Sequence, residues 1–184
     1  FTIIPLIAFR TPTHEVAICR IPNLAIARAK ASCDPRGVVG IELDHPGHKY
    51  GYREFNDAQF EALVPLVARI VKQYDIPRTN VVGHSDVAPA RKIDPGELFP
   101  WERLAEYGLC LSRPKKLERG DPFDNDASFY LALERFGYDI TDGHKAVEAF
   151  QRRWRPEKID GEIDGEVRAI LFQLLLDRDR GNAR

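Results

Sequence analysis

The sequence predicts an α/β (α+β) core followed by a small unit of three helices. Three observations carry this. A β-branched run, Val38-Val39-Gly40-Ile41-Glu42-Leu43, stops at the turn-forming Pro46-Gly47. An apolar helical period then runs from 57 to 74 and leads into a second short strand, "NVVGH". Beyond a polar, proline-rich break, three more helical periods fill the rest of the chain.

Residues 1–36 show no clean period; Pro5, Pro12, Pro22 and Pro35 cut them into short pieces. The stretch 37–48 reads as a buried strand with Glu42 inside the apolar run, an awkward place for a carboxylate. Asn56 is the expected N-cap of the following helix, with Gln59 three residues on as its capping-box partner. Phe60, Leu63, Val64, Val67, Val71 and Tyr74 share one face of that helix. Pro65 is expected to bend it and Pro77 to close the segment, after which the strand delivers His84 to its end. "FPWERLAEYG" makes one short helix ending at Gly108.

A charged stretch, "LSRPKKLERGDPFDN", marks the boundary between the two parts. Helices are expected over 126–136 (Phe129, Leu133, Phe136), 142–154 (Val147, Phe150, Trp154) and 165–176, the last capped by Asp164 and carrying Val167, Ile170, Leu171, Leu174 and Leu175. The expected domains are thus an atypical segment 1–36, a core at 37–112, a linker at 113–124 and a helical domain at 125–180.

Composition excludes several function classes. The 184 residues are 43% hydrophobic and 30% charged, with a net charge of −1, so nothing favours nucleic acid or an acidic membrane surface. Cys19, Cys33 and Cys110 are odd in number and widely spaced, which argues against a disulfide framework or a cysteine zinc knuckle. No apolar run approaches the roughly 20 residues that span a bilayer. The chain has no Met and begins at Phe1, which suggests a processed or incomplete form.

The chemistry gathers in "GHSDVAPARKIDPGELFPW". His84 follows a strand, and Pro95-Gly96 turns the chain so that Asp94 points back toward the strand end. A histidine and an aspartate converging there suit two of the three protein ligands of a catalytic zinc; a structural His–Asp contact would need the same two residues. Glu42 favours the metal reading, because a carboxylate buried in a strand beside a metal-bound water is a natural general base. Lys92 is placed to offer its ammonium to a developing oxyanion, although an Arg91-Lys92 pair in a solvated loop reads equally as surface.

That block, together with "VGIELDHPGHKYGYREFNDAQFEALVPLV", resembles the zinc-dependent N-acetylmuramoyl-L-alanine amidases of the type 2 family, relatives of the peptidoglycan recognition proteins. The resemblance implies a central mixed sheet flanked by helices and hydrolysis of the amide between N-acetylmuramic acid and L-alanine in peptidoglycan or muropeptides. It implies zinc held by His84 and Asp94 as second and third ligands, with Glu42 assisting the water and Lys92 stabilising the tetrahedral intermediate. It also implies action in the bacterial cell envelope or periplasm, with the cytoplasm as alternative, and a monomer.

The chain departs from the family pattern at the front. The family's first histidine ligand, in an "HYT"-like block, and its "WHAG"-like block are absent from residues 1–36. His14 is the only early histidine and is expected to be a surface residue; His45 and His48 flank the turn after the Glu42 strand and are expected to line the cleft rather than ligate. The expectation is an amino-terminal third lost or scrambled, weak zinc binding and little catalysis. The rival reading is a non-catalytic peptidoglycan-binding remnant.

"AVEAFQ" at 146–151 and "DGEIDGEV" at 160–167 resemble the three-helix peptidoglycan-binding domain appended to many wall hydrolases. Asp160, Glu162, Asp164 and Gly165 would also open an EF-hand loop, but its twelfth position is Leu171, which excludes calcium. Helical spacing makes Phe150 and Trp154 core residues, so the binding role of this part is implied by resemblance alone.

Overall fold

A computed structural model describes residues 6–10, 38–117, 120 and 122–180. His14, Cys19 and Cys33 lie outside the described residues. Three strands, β1 (Leu6–Arg10), β2 (Val38–Glu42) and β3 (Val81–Gly83), form a sheet in the order β2-β1-β3. Ile7 faces Ile41 on one side and Gly83 on the other, and both pairings are antiparallel. The parallel pairing that a mixed sheet requires does not occur among the described residues. Strand β2 is shorter than the expected 37–48 because the chain leaves the ladder after Glu42 and turns through a single 3-10 turn at His48–Tyr50.

Helix α1 (Asp57–Gln73) packs on this sheet through Phe60, Leu63, Leu66, Val67 and Ile70. The Asn56 side chain caps it by accepting from the Ala58 N–H at 2.8 Å. The expected capping box does not form: Gln59 is buried and donates instead to the Asp44 carbonyl, tying the helix start to the end of β2. The helix runs through Pro65 uninterrupted. Pro65 is exposed, so the carbonyl it leaves unpaired faces water. After β3, His84 opens a one-turn helix, α2 (His84–Val87), rather than ending the strand, and α3 (Trp101–Glu106) closes at Gly108, which adopts φ +69°.

Helices α4 (Asp126–Phe136), α5 (Gly143–Trp154) and α6 (Gly165–Asp179) enclose a second core of Phe129, Leu133, Val147, Phe150, Trp154 and Leu171. Each begins at a side-chain cap: Asn125 accepts from Ser128 N, Asp142 from Lys145 N, and Asp164 from Val167 N. Helix α6 continues three residues beyond the expected end at 176 because its last turn remains helical to Asp179.

The acidic loop before α6 is neutralised internally. Arg155, almost fully buried, donates to Asp164 at 2.6 Å, and Lys158 pairs with both Asp160 and Asp164. Burial pushes the Asp164 carboxyl up, but hydrogen bonds from Arg155, the Val167 N–H and Lys158 outweigh it and hold it at about 2. A depressed carboxyl adds stability above its unfolded value, about 3.9, that is lost as pH falls through the folded value. Asp164→Ala removes a cap and the closest partner of Arg155. It should cost about 2–4 kcal/mol in urea unfolding at pH 7, and the variant should lose less stability than the parent between pH 4 and 2.

Candidate functional site

The site assembles where the carboxyl ends of β2 and β3 meet the 88–98 loop. Gly83 and Ile41 lie across from the same residue, Ile7, so Glu42 and His84 emerge one residue later at the same edge of the sheet. With β1 between them, they stand about two strand spacings, roughly 9–10 Å, apart.

The loop folds back as its sequence dictates. Ser85 N–H donates to the Asp94 carbonyl at 2.9 Å, and the Asp94-Pro95 peptide is cis. The Asp94 carboxylate then meets His84, with Nδ1 and Oδ2 3.0 Å apart and both side chains about four-fifths buried. Gly83 allows this approach: a Cβ there would lie 2.8 Å from the Pro95 ring. Gly96, at φ +90°, has no room for a side chain because Tyr52 fills the space. The Tyr52 hydroxyl donates to the Pro95 carbonyl at 3.0 Å and accepts from Leu98 N–H at 2.8 Å, pinning the turn that carries Asp94.

Two donors bound to one tetrahedral zinc, each about 2.0–2.1 Å from it, stand about 3.3 Å apart. The His84–Asp94 spacing therefore fits two ligands of a shared metal. Among the described residues no group of three or more His, Cys, Asp and Glu converges to hold one. His45 is not a candidate third ligand: Nδ1 accepts from Gly47 N–H and Nε2 faces the Arg53 carbonyl, so both ring nitrogens are engaged. Burial also pushes its pKa down. His48 stacks on Tyr52 and pairs with Glu97 at 3.0 Å.

Lys92 and Asp94 line one cleft of about 240 Å³ with His48, Lys49, Arg91 and Pro95. Its rim is strongly basic, which suits a ligand bearing carboxylates. Sequence reasoning singled out Asp94 and Lys92, which line this cleft, His84, which meets Asp94, and Glu42, which ends β2. It missed Tyr52, and it missed Asp86, which sits two residues after His84 and is buried. Asp86 Oδ2 accepts from Gly83 N–H at 2.7 Å and from Arg153 Nη1 at 3.1 Å, while Oδ1 accepts from the Tyr138 hydroxyl at 2.7 Å. An acid in the first turn of a helix was the available signal, but its partners lie in another part of the chain. Cys110 is buried, donates to the Trp101 carbonyl and has its thiol pushed up to about 11 by burial, so it offers no nucleophile.

Residues 14–97 match the family model described as N-acetylmuramoyl-L-alanine amidase. The chain is 38% identical over 157 residues to the N-acetylmuramoyl-L-alanine amidase AmiD of Escherichia coli, covering 74% of this chain and 56% of that protein. It is 44% identical over 66 residues to the 1,6-anhydro-N-acetylmuramyl-L-alanine amidase AmpD of Haemophilus influenzae, covering 35% and 34%. A solved complex of E. coli AmiD with anhydro-N-acetylmuramic acid-L-Ala-D-γ-Glu-L-Lys superposes with a TM-score of 0.62 at 35% identity, over 69% of this chain and 55% of that one. AmpDh3 of Pseudomonas aeruginosa with anhydromuramic pentapeptide gives 0.60 at 34% identity, over 66% and 53%. The chain spans about half the length of AmiD. No described helix is long and apolar enough to cross a membrane. Over residues 14–97 the chain is thus similar to the N-acetylmuramoyl-L-alanine amidases.

Proposed function

We propose that this chain carries an N-acetylmuramoyl-L-alanine amidase site for muropeptides, with residues 37–112 as its core, 113–124 as linker and 125–180 as a peptidoglycan-binding helical domain. The observation that carries the site is the His84 Nδ1–Asp94 Oδ2 approach of 3.0 Å at the end of β3, a spacing that two ligands of one zinc share. When bound, zinc supplies Lewis acidity that polarises an amide carbonyl and activates water. His84 and Asp94 hold it. Glu42, across the sheet edge, takes a proton from the attacking water and returns it to the leaving alanine nitrogen. Lys92 places its ammonium where negative charge grows on the carbonyl oxygen. The basic rim of Lys49, Arg91 and Lys92 complements the carboxylates of the stem peptide.

The absence of a third donor among the described residues supports weak zinc binding and favours a second reading, a unit that binds muropeptide without cleaving it. Zinc stoichiometry by calorimetry, together with hydrolysis of anhydro-N-acetylmuramyl tripeptide at added zinc, separates the two. Release of an L-alanine-headed peptide supports the amidase. Retention on purified sacculi without release supports the binding unit, and neither result sinks both readings.

A further inference from the structure

We propose that Arg153 and Tyr138, from the C-terminal helices, are positioning residues for the His84–Asp94 pair and act through Asp86. Asp86 is buried and carries three hydrogen bonds from three separate segments. One of them pins the backbone N–H of Gly83, the residue before His84. Gly83 in turn leaves only 2.8 Å for a Cβ against Pro95, the residue after Asp94. The Asp86 carboxylate thus fixes the backbone just before His84, while Ser85 N–H, just after it, donates to the Asp94 carbonyl at 2.9 Å.

The two side chains that hold Asp86 belong to α5 and the connection before it. Arg153 bridges Asp86 and the Val81 carbonyl of β3, and its guanidinium lies between Trp101 and Trp154, 3.8 and 4.7 Å from their ring centres. Tyr138 donates to Asp86 and accepts from Trp154 Nε1 at 3.2 Å. Burial and the Asp86 carboxylate beside it push its pKa well up, so it remains a donor. A helical unit that only tethered the chain to wall material would have no need of a buried arginine that joins a carboxylate 67 residues back to a carbonyl of β3. The geometry makes α5 part of the wall that shapes the site.

The consequence for catalysis rests on the amidase reading, but the test does not. Nitrogen-15 NMR of the His84 ring reads its tautomer and its hydrogen bond to Asp94 directly, without metal or substrate. Asp94→Asn supplies the reference for a broken contact. Tyr138→Phe, which removes the two hydrogen bonds of the hydroxyl and little packing, should move the His84 ring signals toward that reference, and Arg153→Met should move them further. The double variant Asp86→Asn/Arg153→Met should bring them part of the way back, because the amide strands no charge and still reaches Gly83 and Tyr138. If Arg153→Met fails to fold, Tyr138→Phe alone decides. Lowered thermal stability with His84 signals identical to the parent's would reduce both residues to structural cement and overturn the proposal. Absence of hydrolysis in every form would count against the amidase reading alone.

Discussion

Asp86→Ala should be the most destabilising single change to a polar side chain in this protein, at about 3–5 kcal/mol. The carboxylate and the Arg153 guanidinium are both about 95% buried, and the truncation leaves a cation in the interior. It also deprives Gly83 N–H and the Tyr138 hydroxyl of their acceptor. Arg153 keeps the Val81 carbonyl and its stacking on two indoles, which offsets only part of the loss. Asp86→Ala/Arg153→Met should recover much of the deficit, since a buried pair replaced by apolar groups is near neutral. Urea unfolding followed by tryptophan fluorescence is a suitable measurement, because Trp101 and Trp154 flank the affected arginine from the two cores. A loss below about 1 kcal/mol would mean that solvent reaches the pair.

The parts of this fold that were legible in the sequence are those fixed by local chemistry. Helix α4 occupies the expected 126–136 because Asn125 and Gly137 mark its ends, one by capping and the other by its positive φ. Asp94 turns back onto His84 at Pro95-Gly96, where Gly96 takes a positive φ and leaves room for Tyr52. What was not legible depends on distant partners. Strand β1 is a five-residue stretch, apolar up to Arg10 and so without a period of two, and its partners β2 and β3 lie far along the chain. Gln59 fits a capping box by spacing, yet a buried carbonyl on Asp44 captures it. Asp86 was in plain view beside His84, but nothing local distinguishes it from an ordinary acid in a first turn; its meaning comes from Arg153 and Tyr138.

Asp94→Ala and Lys92→Ala should fail in different ways, and the difference tests the roles given to them. Asp94 is one of two donors 3.0 Å apart. Its removal leaves His84 as a lone ligand among the described residues, and zinc binding should weaken by at least the 10- to 100-fold that loss of a mere outer-shell partner costs, roughly. Hydrolysis should vanish with it at any practical zinc concentration. Lys92 shares the cleft with Asp94 but is assigned to the developing charge rather than to the metal. Lys92→Ala should therefore leave zinc affinity and KM close to the parent's while kcat falls by about 10²–10³. Lys92→Arg, which keeps the charge but changes its shape, should restore part of that loss. Calorimetric zinc titration beside steady-state kinetics on the anhydro-muramyl tripeptide resolves the two patterns. Equal losses of zinc affinity in both variants would place Lys92 in the framework of the metal site, and the oxyanion role would fall.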